Sequence, residues 1–238
     1  MILKRKIYKK LLEWKKECRG KKALLIEGAR RIGKSTICEE FGKSEYKSFL
    51  LIDFAKKDKE VEGYFEKYLN DLDTFFMLLQ THFGTKLTER NSLIIFDEVQ
   101  MFPQARAAIK YLVADGRYDY IETGSLISIR ENVKNIVIPS EERHINMYPL
   151  DFEEFAIALE EDLLVEYIKK CFEKREPLER SMHNQAMLLF HQYMLVGGMP
   201  MPVVTFIESK KDFTEADREK RDILKLYRED IMKIDAKY

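Results

Sequence analysis

The chain has 238 residues, enough for one large domain or a core with an accessory piece, and its 45% hydrophobic and 34% charged content excludes a disordered polymer. Lys plus Arg and Asp plus Glu both total 41, so no overall field marks it as a nucleic-acid or membrane binder. No segment approaches the roughly 20 apolar residues of a membrane-spanning helix, and the start of the chain lacks the apolar run of a secretory signal.

Residues 1–22 carry Lys4, Arg5, Lys6, Lys9, Lys10, Lys15, Lys16, Arg19, Lys21 and Lys22 against only Glu13 and Glu17. Ile7, Leu11 and Trp14 recur at helical spacing, so a first helix with a basic solvated face is expected. The alternative is a docking surface for DNA or a protein partner, and the sequence alone leaves both open.

Residues 22–27 (K-A-L-L-I-E) form a short apolar run that reads as a strand, and an amphipathic stretch over 35–41 follows it as a helix. Between them lies Gly28-Ala29-Arg30-Arg31-Ile32-Gly33-Lys34-Ser35, followed by Thr36, which satisfies G-x-x-x-x-G-K-[ST] in the strand–loop–helix context that motif needs. The glycines let successive backbone N–H groups turn inward onto phosphate oxygens, with the positive end of the helix behind them. Lys34 is then expected on the β- and γ-phosphates of ATP and the Ser35 hydroxyl on Mg²⁺.

Further strands are expected at 48–54, at 93–96 and at 118–123, with helical patterns around 64–80 and 103–114, the latter opening on Pro103. Alternating strands and helices predict a three-layer α/β sandwich around a parallel sheet. The 93–96 run (L-I-I-F) ends on Asp97-Glu98. Asp97 is placed to hold Mg²⁺ through its water shell, and Glu98 to orient and deprotonate an attacking water.

Thr123-Gly124-Ser125 closes the fourth strand, where a hydroxyl would sense the γ-phosphate; of the two, Ser125 is preferred, and an ordinary glycine-serine turn is the competing account. Arg143 is the candidate arginine outside the loop for neutralising transferred charge, unless it pairs with Glu141 or Glu142 on the surface.

From about residue 150 the pattern is helical. Asp151 and Glu154 form a capping box with Leu150 positioned to staple onto Phe155, and helices are expected at 163–172, at 178–195 up to the Gly197-Gly198 and Pro200/Pro202 break, and from 214 onward. In that last segment Ile223, Tyr227, Ile231 and Ile234 share one stripe. Cys18, Cys38 and Cys171 are far apart without a C-x-x-C pair, and His82, His144, His183 and His191 are scattered. Reduced thiols in a cytoplasmic protein are therefore expected, without a zinc site.

Taken in order, G-A-R-R-I-G-K-S-T, L-I-I-F-D-E-V-Q, T-G-S, Y-P-L-D-F-E-E-F, G-G-M-P and Y-R-E-D-I make nearly the whole chain resemble the prokaryotic AAA-superfamily ATPases whose ATPase domain precedes a C-terminal domain of unknown function. The resemblance implies a P-loop sheet of the additional-strand type, with the strand ending at Thr123 between the P-loop strand and the Asp97 strand and Ser125 beside the γ-phosphate. It implies an ATPase core over 1–149, a helical annex over 150–206, and at 207–238 the helical start of a C-terminal domain that is cut short. Where the family shows a glycine-arginine pair, Glu142-Arg143 stands here. The expected activity is Mg²⁺-dependent ATP hydrolysis coupled to the annex, in a homo-oligomer or with a partner bound through the missing C-terminal part. A nucleotide switch or scaffold without turnover is the alternative, and a small-molecule kinase is disfavoured by the acids after Tyr148.

Overall fold

The computed structural model describes residues 1–125 and 140–235, the side chains only to residue 232. It divides into two units, Ile7–Met147 on the one hand and Met1–Lys6 with Tyr148–Tyr238 on the other.

The larger unit runs α1 (Ile7–Cys18), β1 (Ala23–Glu27), α2 (Lys34–Glu45), β2 (Ser48–Asp53), α3 (Lys59–Tyr68), α4 (Leu72–Phe83), β3 (Ser92–Asp97), α5 (Pro103–Asp115), β4 (Asp119–Gly124) and β5 (Glu142–Asn146). The strands form one parallel sheet in the order β2-β3-β4-β1-β5. β4 thus lies between β1 and β3, the placement the family resemblance implies. A parallel sheet is covered on both faces, which is why β3 and β4 are buried along their whole length and β1 up to Glu27.

One face carries Ala23, Leu25, Ile94, Phe96 and Tyr120 and packs against Phe65, Phe75 and Leu79 of α3 and α4 and Ala108, Ile109 and Leu112 of α5. Residues alternating with these point to the other face. There Leu11 and Trp14 of α1 and Phe41 of α2 are fully or almost fully buried, with the Trp14 and Phe41 rings 6.5 Å apart. Lys9, Lys10 and Lys16 lie on the exposed side of α1, and Arg19, just past its end, is exposed as well.

Two features depart from the sequence expectation. The helical pattern around 64–80 is two helices, because Asp71 caps a fresh start: its carboxylate accepts from Thr74 N at 3.2 Å. β5 was not expected at all; E-R-H-I-N has no apolar run because an edge strand has a single neighbour, here β1 in the register Ala23↔Glu142 to Glu27↔Asn146.

The smaller unit holds α6 (Phe152–Ala158), α7 (Asp162–Lys174), α8 (Arg180–Val196), α9 (Pro200–Glu208) and α10 (Phe213–Asp235). Asp151 and Glu154 form the expected capping box. Leu150, Phe155, Leu164, Leu189, Val203, Phe206 and Ala216 share one core. Ile207 and Ala216, beyond residue 206, join this core. Pro200 does not prolong the break after α8; it occupies the first turn of α9, where a missing N–H costs nothing. Ile234's side chain and Tyr238 lie outside the described residues.

The first six residues belong to this unit and not to the larger one. Leu3 packs on the helical core, Lys6 N donates to Glu154 Oε1 at 2.6 Å, and Lys6 Nζ lies 2.6 Å from Asp151 Oδ2 and 2.7 Å from Glu153 Oε2. Part of the basic N-terminus is thus spent on the acidic start of α6. Among the described residues no helix is long and apolar enough to cross a membrane, and the three cysteines are free.

Candidate nucleotide-binding site

The loop 28–33 leaves the C-terminal end of β1 and enters α2. Gly33, at the N-cap, has φ 90° and ψ 26°, a left-handed conformation that glycine adopts without strain, and no side chain caps the helix. The first amides of α2 are therefore available to an anion. Ile32 is fully buried and anchors the loop, while Ala29, Arg30, Arg31 and Thr36 are exposed.

Gly28 is required for a different reason. Met147 N donates to Glu27 O at 2.8 Å, which brings the Met147 carbonyl against the loop; a Cβ on Gly28 would lie 2.4 Å from that oxygen. Gly28→Ala is expected to displace the loop at a cost of about 1–3 kcal/mol and to weaken ATP binding accordingly. Isothermal titration checks this; parent affinity in the variant would show that the backbone absorbs the methyl group.

Lys34 is 5% exposed, and its ammonium donates to Ala29 O at 2.8 Å and Gly28 O at 3.2 Å. Burial pushes its pKa below the usual lysine value, and the charges of Glu98 and Asp97 offset part of that shift. The Lys34 side chain is thus held inside the curled loop by its two carbonyl contacts.

At the end of β3, Asp97 is 7% exposed and its Oδ1 accepts from Ser35 Oγ at 2.8 Å and from Thr123 Oγ1. Glu98 follows in a left-handed conformation (φ 52°), and its N–H donates to Thr123 Oγ1 at 3.2 Å. Thr123 is the hydroxyl that joins both acids. The sequence reading ranked it behind Ser125; the signal for it was register, since β3 and β4 pair Phe96↔Glu122 and the next step sets Asp97 beside Thr123. Ser125 is buried one residue past β4.

Arg143 is not brought to the loop. It sits on β5 opposite Leu24, three residues before the end of β1 and so roughly 10 Å back along the sheet. Its Nη1 lies 2.6 Å from Glu17 Oε2 of α1, neither of the two partners expected from the sequence. Glu142, one of those, is taken by a residue the sequence did not single out: Arg106 of α5 binds it through Nε at 3.0 Å and Nη2 at 2.8 Å, both side chains being almost fully buried.

The donor set suits ATP with Mg²⁺. Ser35 and Asp97 offer hard oxygens already in contact, and Mg²⁺ typically takes one or two protein ligands and completes its shell with phosphate and water. Among the described residues no group of three His, Cys, Asp or Glu is arranged for a metal.

A family model described as an AAA domain matches residues 20–156. No curated protein matches the chain. Among solved structures, the Aeropyrum pernix Orc1 protein in complex with DNA is similar at 10% identity and a TM-score of 0.40, covering 82% of this chain and 68% of that one. PCH-2 of C. elegans is similar at 11% identity and a TM-score of 0.42, covering 90% of this chain and 64% of that one, so this chain spans less than two thirds of PCH-2. The matched residues 20–156 enclose the phosphate loop, Asp97, Glu98, Thr123 and every strand of the sheet, and on that match the chain belongs to the AAA domain family, within the AAA superfamily of P-loop ATPases.

Proposed function

We propose that this chain binds ATP with Mg²⁺ and hydrolyses it. The observation that carries the reading is the junction at Asp97: one carboxylate oxygen joins the P-loop hydroxyl of Ser35 to Thr123, with Lys34 in the loop and Glu98 next in the chain.

The residues act as follows. The loop amides and the start of α2 take the phosphates, and Lys34 exchanges its bonds to Gly28 O and Ala29 O for phosphate oxygens. Ser35 and Asp97 would hold Mg²⁺, which would supply positive charge to neutralise what develops on the transferred phosphate. Glu98 takes the proton of a water whose oxygen attacks the γ-phosphorus as the bond to the β-phosphate oxygen breaks, giving ADP and phosphate. Thr123 fixes the relative position of the two acids. Arg143 has no part in this scheme.

Met147 gives a route from nucleotide to annex. It is bonded to the last residue of β1, lies against Gly28, and is followed directly by the first residue of the helical unit. A loop that shifts when phosphate binds pulls on that connection.

The test is Mg²⁺-dependent phosphate release by the purified chain beside Lys34→Ala, with ATP binding measured in parallel. Release by the parent and its loss in the variant is the expected result. Binding without release by the parent favours a nucleotide switch or scaffold, and no binding removes both readings.

A further inference from the structure

We propose that Gln100 is a positioning residue for hydrolysis, its side-chain amide holding the Glu98 carboxylate in place. The inference rests on the hydrolysis reading above and concerns how its base is aimed.

The backbone of Glu98 is fixed on both sides. Its N–H donates to Thr123 Oγ1 at 3.2 Å, and its carbonyl accepts from Met101 N at 2.9 Å, closing the short 3₁₀ turn Val99–Met101. Glu98 adopts φ 52° and ψ 46°, a left-handed conformation that a residue with a Cβ keeps only where its surroundings hold it there. A fixed backbone does not aim a glutamate, which keeps three rotatable side-chain bonds.

Gln100 supplies the missing restraint. It lies on that same turn, is 5% exposed, and its Nε2 donates to Glu98 Oε2. Its burial limits its own freedom, so it serves as a fixed donor. The carboxylate it holds acts electrostatically on Lys34, ahead of Asp97 among the charges that favour the ammonium. With Oε2 engaged by the amide, Oε1 is the oxygen left to accept the proton of the attacking water. The pattern Asp97-Glu98-Val99-Gln100 thus carries metal ligand, base and the residue that aims the base within four positions.

Gln100→Met keeps the length and apolar bulk of the side chain and removes the donor. In the full chain it should lower kcat by about 10- to 100-fold, the scale of a displaced reacting group. ATP affinity and KM should stay within about twofold, because a residue that only aims the base acts on the chemical step. In a Glu98→Gln background the same change should cost less than about twofold, since the base it aims is already gone. Equal losses in both backgrounds, a loss seen only in KM, or an unchanged kcat would overturn the proposal.

A reading independent of turnover is the side-chain amide signal of Gln100 in a ¹H–¹⁵N spectrum, assigned by its disappearance in Gln100→Met. It should shift in Glu98→Ala, and an unmoved signal would overturn the contact itself. A parent chain that releases no phosphate while this signal does shift would sink the hydrolysis reading and leave the contact standing, so the two failures are separable.

Discussion

Glu98→Gln is expected to cut phosphate release by about 10²–10⁴-fold while ATP still binds, the range lost when a positioned general base is removed. The substitution is nearly isosteric, and the contact that fixes residue 98, its N–H on Thr123 Oγ1, belongs to the backbone and survives. Asp97 and Ser35 keep their contact, so the Mg²⁺ ligands are undisturbed. Lys34 loses one of the two carboxylates that favour its charge and retains the other. The outcome should therefore be a chain that captures ATP and fails to turn it over, read by single-turnover release beside equilibrium nucleotide binding. Near-parent release would show that water is activated by another group. Loss of binding would make Glu98 part of the frame of the site and not its base.

The legible and illegible parts of this protein divide along physical lines. β1 and β3 announced themselves because a strand buried on both faces of a parallel sheet must be an unbroken apolar run, and A-L-L-I and L-I-I-F are such runs. The phosphate loop was legible because its chemistry fixes the spacing of Gly28, Gly33, Lys34 and Ser35. β5 was hidden because an edge strand obeys neither constraint, and missing it left Arg143 without an address. Once E-R-H-I-N is a strand beside β1, Arg143 is tied to Leu24 and cannot be at the loop end.

That Thr123 and not Ser125 touches Asp97 was hidden for a related reason. The choice between two hydroxyls in T-G-S depends on which strand position stands beside Asp97, and register is a tertiary property. Likewise nothing local to M-I-L-K-R-K tells that Lys6 binds Asp151 and Glu153, which lie more than 140 residues away.

Arg106→Ala is expected to destabilise the larger unit by about 3–5 kcal/mol, because it strands a buried carboxylate. Arg106 meets Glu142 with two hydrogen bonds, and their side chains are 3% and 0% exposed. Glu122 of β4 stands nearby, also fully buried, with neither carboxyl oxygen in hydrogen-bond geometry. Burial first, and the charge of Glu142 second, push the Glu122 carboxyl well above the usual carboxylate range, with Arg106 opposing. His144 closes the cluster from β5, its Nε2 3.2 Å from Glu142 Oε2.

A carboxyl whose pKa is raised by folding contributes its full stability below its unfolded value, near 4.5, and that contribution is lost as pH rises toward the folded value. The loss is about 1.4 kcal/mol per pH unit over that interval. Glu122→Gln stays neutral in both states and should remove this loss. Its melting temperature should match the parent's near pH 4.5 and exceed it at pH 8, read by thermal unfolding across that range. A gap that stays constant with pH would mean that Glu122 is ionised in the fold. In that case Arg106 balances two charges, and Arg106→Ala should cost more in the parent than in Glu122→Gln. If Glu122 is neutral, the arginine's cost is set by Glu142 alone and is nearly the same in both backgrounds, so the double-mutant cycle decides which charge Arg106 is there to hold.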